Sequence, residues 1–296
     1  MLSRGQVIAA LLLAEVAIVC LAVASIFSVR LPTSFVAPTE ARAAAGPHLV
    51  EDGPHRRFEA GAHPALTVDI GYADLTIVAR PAASIDVSAS SSTDYGALRV
   101  RSPIEATSDG ETIHVTTSGE PSWSIGDDRM VTVIVPPETK VTVVNAGDIR
   151  ASGLRAEASF TTAGRGSVTV DDYDAPSLRI DSSDGRIMLH QVVAARLEVN
   201  ADGRVEGTAL QLRDGSVESS GRVSLGFAAG TDALVTAATD DGRVHLSGFA
   251  ATAQAASAST SGDGDDASSQ SVRVGAGSGH LDVHSSDGSI RLSQEG

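Results

Sequence analysis

Asp184, Asp202, Asp241 and Asp287 each stand immediately before a glycine, in near-identical surroundings. Arginines follow three of those glycines, at Arg186, Arg204 and Arg243, and Arg222 follows Gly221 in a further copy. Clustered carboxylates serve divalent-cation binding and glycoside hydrolysis, where one acid protonates the leaving oxygen and a second attacks or activates water. A row of arginines suits carboxylate or phosphate recognition. His280, Asp282 and His284 alternate along one strand face and carry donors that a metal ion accepts. Two more acidic groups, Asp171-Asp172-Tyr173-Asp174 and Asp263-Gly264-Asp265-Asp266, could gather cations or solvate loops.

Each of these has a plainer explanation. Asp-Gly is turn chemistry, and the neighbouring arginines are at hand to neutralise the aspartates in surface ion pairs. No EF-hand loop or Gly-Gly-x-Gly-x-Asp repeat accompanies them. His280, Asp282 and His284 alternate because Leu281 and Val283 face a core; with no third histidine nearby, a solvated polar face is expected. Sugar-processing grooves usually offer aromatic platforms, and Trp123, Tyr72, Tyr95 and Tyr173 are few and scattered. The chain has no Gly-x-Ser-x-Gly elbow, phosphate-binding loop, dinucleotide glycine motif or His-Glu-x-x-His. The sequence therefore predicts a non-enzyme, with no catalytic, cofactor-binding or metal-ligating residues and no cofactor.

The elements that carry these residues form a repeat. Ser177 to Leu189, SLRIDSSDGRIML, is an alternating strand, a Ser-Ser-Asp-Gly turn and a second alternating strand. The first apolar residue after each such turn is Ile149, Val168, Ile187, Val205, Val223, Val244 and Ile290, at spacings of 19, 19, 18, 18, 21 and 46. A fixed period near twenty residues marks a stacked-repeat architecture. The final gap reads as two repeats with an insertion, the acidic Ala/Ser-rich stretch from Ala251 to Ser271, expected to be a protruding loop. Leu178, Ile180, Ile187 and Leu189 are expected inside, with Arg179, Arg186, Met188 and His190 outside. Gly185, Gly203, Gly242 and Gly288 are expected to supply positive φ at the turns. Upstream, period-two runs begin after Phe58, and Pro136-Pro137 marks a bend because neither residue can donate to a ladder.

Composition agrees with a strand-built interior. Of 296 residues, 42% are hydrophobic but only 3% aromatic, so Val, Ile, Leu and Ala must fill the core. A net charge of −15 is the wrong sign for nucleic acid, whose binders displace phosphate counterions with basic groups. The one cysteine, Cys20, excludes an intrachain disulfide.

Cys20 lies in the run Val7 to Val29, 23 residues interrupted only by Glu15. As a helix it would extend about 34 Å, enough for a hydrocarbon core of roughly 30 Å. An uncleaved single-pass anchor is expected over residues 1–30. Cleavage at Ala41 to Gly46, ARAAAG, is an alternative, although that site lies well beyond the run. A lipoprotein reading of Cys20 is disfavoured by Val19 before it. Residues 31–57, with Pro32, Pro38, Pro47 and Pro54, read as a tether, and 58–296 as the β-repeat domain. Basic residues lie on both sides of the run, so the positive-inside rule by itself does not favour an exported C-terminus.

Val131 to Leu154, VTVIVPPETKVTVVNAGDIRASGL, followed by SSDGRIML and SSDGSIRL, resembles the bacterial adhesin-type β-strand-repeat domains of unknown function called toast-rack-like. The resemblance covers Phe58 to the C-terminus. It implies an all-β stack of strand repeats, a single-stranded β-solenoid or toast-rack-like body, without established catalytic residues. It also implies a place outside the membrane. An envelope protein or a glycan is the expected partner. The acidic insertion and the single lysine, Lys140, depart from the pattern. A carbohydrate-active β-solenoid enzyme and an envelope-stress sensing ectodomain are the alternatives.

Overall fold

Alternating valines, isoleucines and leucines make half-buried strands, and strands are what the chain forms. The computed structural model describes residues 55–71, 73–93, 104–117, 127–162, 164–249 and 268–294. The described residues all belong to one compact unit, Ala45–Gly296. The apolar run Val7 to Val29 lies outside the described residues. Among those described there is no helix, and none long and apolar enough to cross a membrane.

The first strands are β1 (His55–Glu59), β2 (Ala65–Asp69), β3 (Asp74–Ala79), β4 (Ser84–Thr93), β5 (Ile104–Ser108), β6 (Thr112–Thr117) and β7 (Asp127–Val135). Next come β8 (Lys140–Ala146), β9 (Ile149–Ser152), β10 (Ala158–Thr162), β11 (Val168–Ser182), β12 (Ile187–Ala201) and β13 (Val205–Ser219). The last are β14 (Val223–Phe227), β15 (Ala233–Thr239), β16 (Val244–Ser247), β17 (Ser268–Val274), β18 (Gly279–Ser285) and β19 (Ile290–Gln294). β1 thus begins at His55, inside the stretch read as tether.

Each repeat is a rung that lends one segment to each of two parallel ladders. The first ladder runs β6, β2, β8, β10, the C-terminal halves of β11, β12 and β13, then β18 and β15. The second runs β7, β3, β9, the N-terminal halves of β11, β12 and β13, then β14, β19 and β16. Parallel neighbours need a long crossover. Here the crossover from one rung to the next is the other strand of the same rung, so no helix is required.

The stacking order departs from chain order at both ends. The first rung, β2 and β3, sits between the rung of β6 and β7 and the rung of β8 and β9. The last rung, β18 and β19, sits between β13 and β14 on one side and β15 and β16 on the other. The spacing of 46 residues is therefore not two further repeats in line. It holds an antiparallel strand, β17, and one rung that returns into the stack. Ser268 to Ser271, read from sequence as part of the insertion, belong to β17.

Antiparallel strands then cover the ends: β4 on β7, β1 on β4, β5 on β6, and β17 on β15. Unpaired edges invite association with other chains. β16, the last strand of the second ladder, has Val244 met from the side: its N–H donates to Ser268 Oγ at 3.1 Å, and its carbonyl accepts from Gln270 Nε2 at 3.3 Å.

The core is one cluster from Phe58 to Leu292, filled by the alternate residues of both ladders. Leu178, Ile180, Ile187 and Leu189 are buried, while Arg179, Arg186 and His190 are exposed. β11, β12 and β13 bend between ladders at Asp172, Gln191 and Ala209, with φ of 50°, 52° and 52°. These left-handed corners fall on non-glycine residues, and Arg155 holds the first by donating to the Asp172 carbonyl at 2.6 Å and its carboxylate at 2.8 Å. Next to that corner Tyr173 is buried, its hydroxyl donating to the Ser177 carbonyl, and burial pushes its pKa up.

Candidate functional site

The aspartates and arginines singled out from sequence flank the outer corner where each rung passes from the first ladder to the second. A column of glycines runs along that corner. Gly185, Gly203, Gly242 and Gly288 do not have positive φ, contrary to expectation. Their need is for space. A Cβ on Gly185 would lie 1.8 Å from the Gly166 carbonyl oxygen, and one on Gly203 2.0 Å from that of Gly185. A Cβ on Gly288 would lie 2.4 Å from the Gly221 oxygen, and one on Gly242 2.4 Å from the Gly288 oxygen. Backbone stacks on backbone, and only hydrogen fits between.

Buried hydroxyls fasten this column. Ser182 Oγ accepts from Gly185 N and donates to the Gly166 carbonyl, both at 3.3 Å. Ser285 Oγ accepts from Gly288 N at 3.0 Å and donates to the Gly221 carbonyl at 2.7 Å. Ser219 does the same between Gly221 and Gly203, at 3.0 and 2.6 Å. The first serine of the Ser-Ser-Asp-Gly motif is therefore a structural clasp. Its signal was present in the sequence as a hydroxyl two or three residues before the glycine.

Of the turn aspartates, Asp184 and Asp202 lie on neighbouring rungs, as do Asp287 and Asp241, with Ser220 on the rung between the two pairs, and the expected pairing with the following arginines does not form. Asp184 is paired with Arg165 of the preceding rung at 3.0 Å. Arg204 pairs with Glu206 of its own strand at 3.1 Å. Among the described residues Asp202, Asp241 and Asp287 make no ion pair, and neither do Arg186, Arg222 and Arg243.

The outward face of the first ladder is different. Charges there interlock between neighbouring rungs: Lys140 with Glu157 at 2.9 Å, and Arg179 with Glu198 at 3.4 Å. Arg196 also reaches Glu198 at 2.5 Å, and Arg213 pairs with Asp214 at 2.9 Å. An open groove of about 480 Å³ lies over Arg196, Glu198, Arg213 and Asp214. His280 pairs with Asp282 at 2.9 Å, whereas His284 turns to Asp240 at 3.3 Å. That strand face thus holds two separate pairs, and no group of three metal-ligating side chains forms among the described residues. Asp171 is taken up by His190 at 2.8 Å and Asp172 by Arg155. Tyr72, Tyr95, Trp123 and Asp263 to Asp266 lie outside the described residues.

Two carboxylates stand apart electrostatically. Asp214 accepts from His280 N at 3.0 Å, which with Arg213 holds its pKa below the ordinary carboxylate range. Asp232 accepts from Ser278 Oγ at 2.5 Å and Ser278 N at 3.1 Å, with the same result. Both clasp the entry to β18, the strand that returns into the stack. Sequence reasoning passed over both, because neither belongs to the repeat motif.

Continuous parallel ladders, a glycine corner and clasping hydroxyls define an all-β stacked-repeat domain. The chain belongs to the Toastrack DUF4097 family, whose model matches residues 63–293. Among curated proteins no relative matches it. Similar solved structures include a candidate adhesin from Bacteroides fragilis, 12% identical with a TM-score of 0.49, covering 81% of this chain and 96% of that one. A candidate lipid-binding protein from Parabacteroides distasonis is 12% identical with a TM-score of 0.41, covering 82% and 96%. A candidate cell adhesion protein from Clostridium sporogenes is 12% identical with a TM-score of 0.37, covering 81% and 99%.

Proposed function

We propose that this chain is a membrane-anchored, extracytoplasmic β-repeat protein that binds rather than catalyses, acting as an envelope scaffold or adhesin-like interaction module. The observation that carries the reading is the regularity of the stack. Rung after rung presents outward residues at fixed strand spacing over one continuous core. A rigid solenoid of this kind suits an extended, repetitive partner, because each added rung offers the same contact again. The run Val7 to Val29 supplies a single-pass anchor, and the Pro/Ala-rich stretch after it a tether. The partner is a glycan or another envelope protein, and the net charge of −15 argues against nucleic acid.

Incubation of the purified chain with pooled bacterial and host glycans tests the reading. Retention of a glycan with no release of reducing ends supports a binder. Steady release of sugar fragments would overturn it in favour of a carbohydrate-active enzyme.

A further inference from the structure

Outward charges in this stack often meet unlike charges across rungs, and the outer corner departs from this twice: turn aspartates neighbour turn aspartates before the glycines, and arginines neighbour arginines after them. Across neighbouring rungs unlike charges meet: Lys140 with Glu157, Arg165 with Asp184, Arg179 with Glu198, Arg155 with Asp172. In the column that follows the corner glycines, arginine stacks on arginine. Arg186, Arg204 and Arg222 directly precede Ile187, Val205 and Val223, which are register partners in the second ladder. The three therefore occupy one position on three successive rungs, about 4.8 Å apart in backbone. Like charges facing each other on adjacent strands are unfavourable.

Little nearby relieves them. Arg186 and Arg222 make no ion pair among the described residues, and none of the three reaches a turn aspartate within 4.0 Å. Of the carboxylates alongside, Asp184 is held by Arg165 and Glu206 by Arg204, while the third rung has Ser220 in the aspartate position. Asp202 remains. Beyond Ser289, Arg243 resumes the column beside the unpaired Asp287 and Asp241, with His245 and Arg291 as register partners two residues further along the strand. All these arginines are exposed. A chain that is otherwise strongly acidic keeps a line of cations on one face.

We propose that this column binds a linear polyanion with one carboxylate per repeating unit, a polyuronate chain lying along the stack axis. The proposal rests on the binding reading above and names its partner. Each guanidinium offers a planar fork that matches a carboxylate. In an extended uronate chain successive sugars turn alternate sides, so every second carboxylate faces the same way, and Arg186 and Arg222, the two arginines without an ion pair, stand two rungs apart. Polyphosphate carries its charges closer together than that, and an anionic bilayer presents a plane rather than a line.

The test is affinity electrophoresis of the full chain against polygalacturonate, polyphosphate, phosphatidylglycerol vesicles and neutral dextran. Polygalacturonate is expected to retard the protein most, with an apparent affinity at least about tenfold weaker in the triple variant Arg186→Gln, Arg204→Gln, Arg222→Gln. A control, Arg179→Gln with Arg213→Gln, removes paired arginines of the other ladder and should leave retardation unchanged. Should the triple variant fail to fold, Arg222→Gln alone should still weaken binding about threefold. Wild-type retardation in the arginine variants, equal loss in the control, or preference for polyphosphate or vesicles overturns the proposal. If polygalacturonate fails while pooled glycans still retain the chain, the column is wrong and the binding reading stands; if both fail, both fall.

Discussion

Gly185 lies so close to Gly166 that a Cβ built on it would stand 1.8 Å from the Gly166 carbonyl oxygen. The contact is backbone on backbone, so nothing flexible can yield. Gly185→Ala is expected to destabilise the domain by about 3 kcal/mol, by prising two rungs apart. Gly61→Ala is the comparison. Its Cβ would meet only Glu111 Cγ at 3.8 Å, an ordinary contact, and should be near neutral. Urea denaturation of both variants checks the difference.

The hydroxyl clasp has a natural gap. Ser182, Ala201 and Ser219 are register partners on three successive rungs, and all three are buried. Ala201 has no hydroxyl to offer to Gly203 N or the Gly185 carbonyl. Ala201→Ser should therefore stabilise by about 1 kcal/mol, whereas Ser182→Ala should cost about 1–3 kcal/mol by stripping a buried site of its bridge. Thermal melting of the two variants should move in opposite directions.

These clasps show which parts of the fold the sequence discloses. The period from Ile149 to Val244 and the inward alternation of residues such as Ile187 and Leu189 are local, and local spacing reveals them. Gly185 departs from its expected role because a glycine at a turn looks the same in sequence whether it needs positive φ or room for a neighbouring segment of chain. The return of β18 between β13 and β15 is beyond local reading: the motif at Ser285 to Gly288 is the same whichever rung it stacks on. For the candidate site, the arginines were visible at once. Their isolation from Asp202, Asp241 and Asp287 depends on side-chain distances that no spacing encodes.

The returning strand is expected to loosen first in acid. Asp214 and Asp232, both held below the ordinary carboxylate range, accept from His280 N and Ser278 N at the start of β18. A carboxylate with a depressed folded-state pKa contributes stability that is present above its unfolded value and lost as pH falls through the folded value. Amide protection at Ser278 and His280 should therefore hold at neutral pH and fall selectively in acid. Asp232→Asn should flatten the pH response at Ser278 while leaving that at His280. Hydrogen exchange followed by NMR reads both sites.

Like-charge stacking in the arginine column also carries a stability prediction. Removing one member, Arg204→Gln, loses an exposed pair with Glu206 but relieves two arginine neighbours. The melting temperature should stay level or rise slightly at low salt, and the difference from wild type should shrink as salt is added. A clear drop at low salt would mean that the column is held by contacts other than those described.

The binding role proposed for the stack requires the β domain to lie outside the cytoplasmic membrane. Ser183→Cys places a thiol at an exposed turn of a domain without native cysteine, and Cys20→Ser removes the only other one. A membrane-impermeant maleimide is then applied to cells whose cytoplasmic membrane is intact and whose outer layers have been made permeable. Labelling of residue 183 before lysis is the predicted result. Protection until the cytoplasmic membrane is broken would contradict the extracytoplasmic placement, and with it the binding role proposed for the stack.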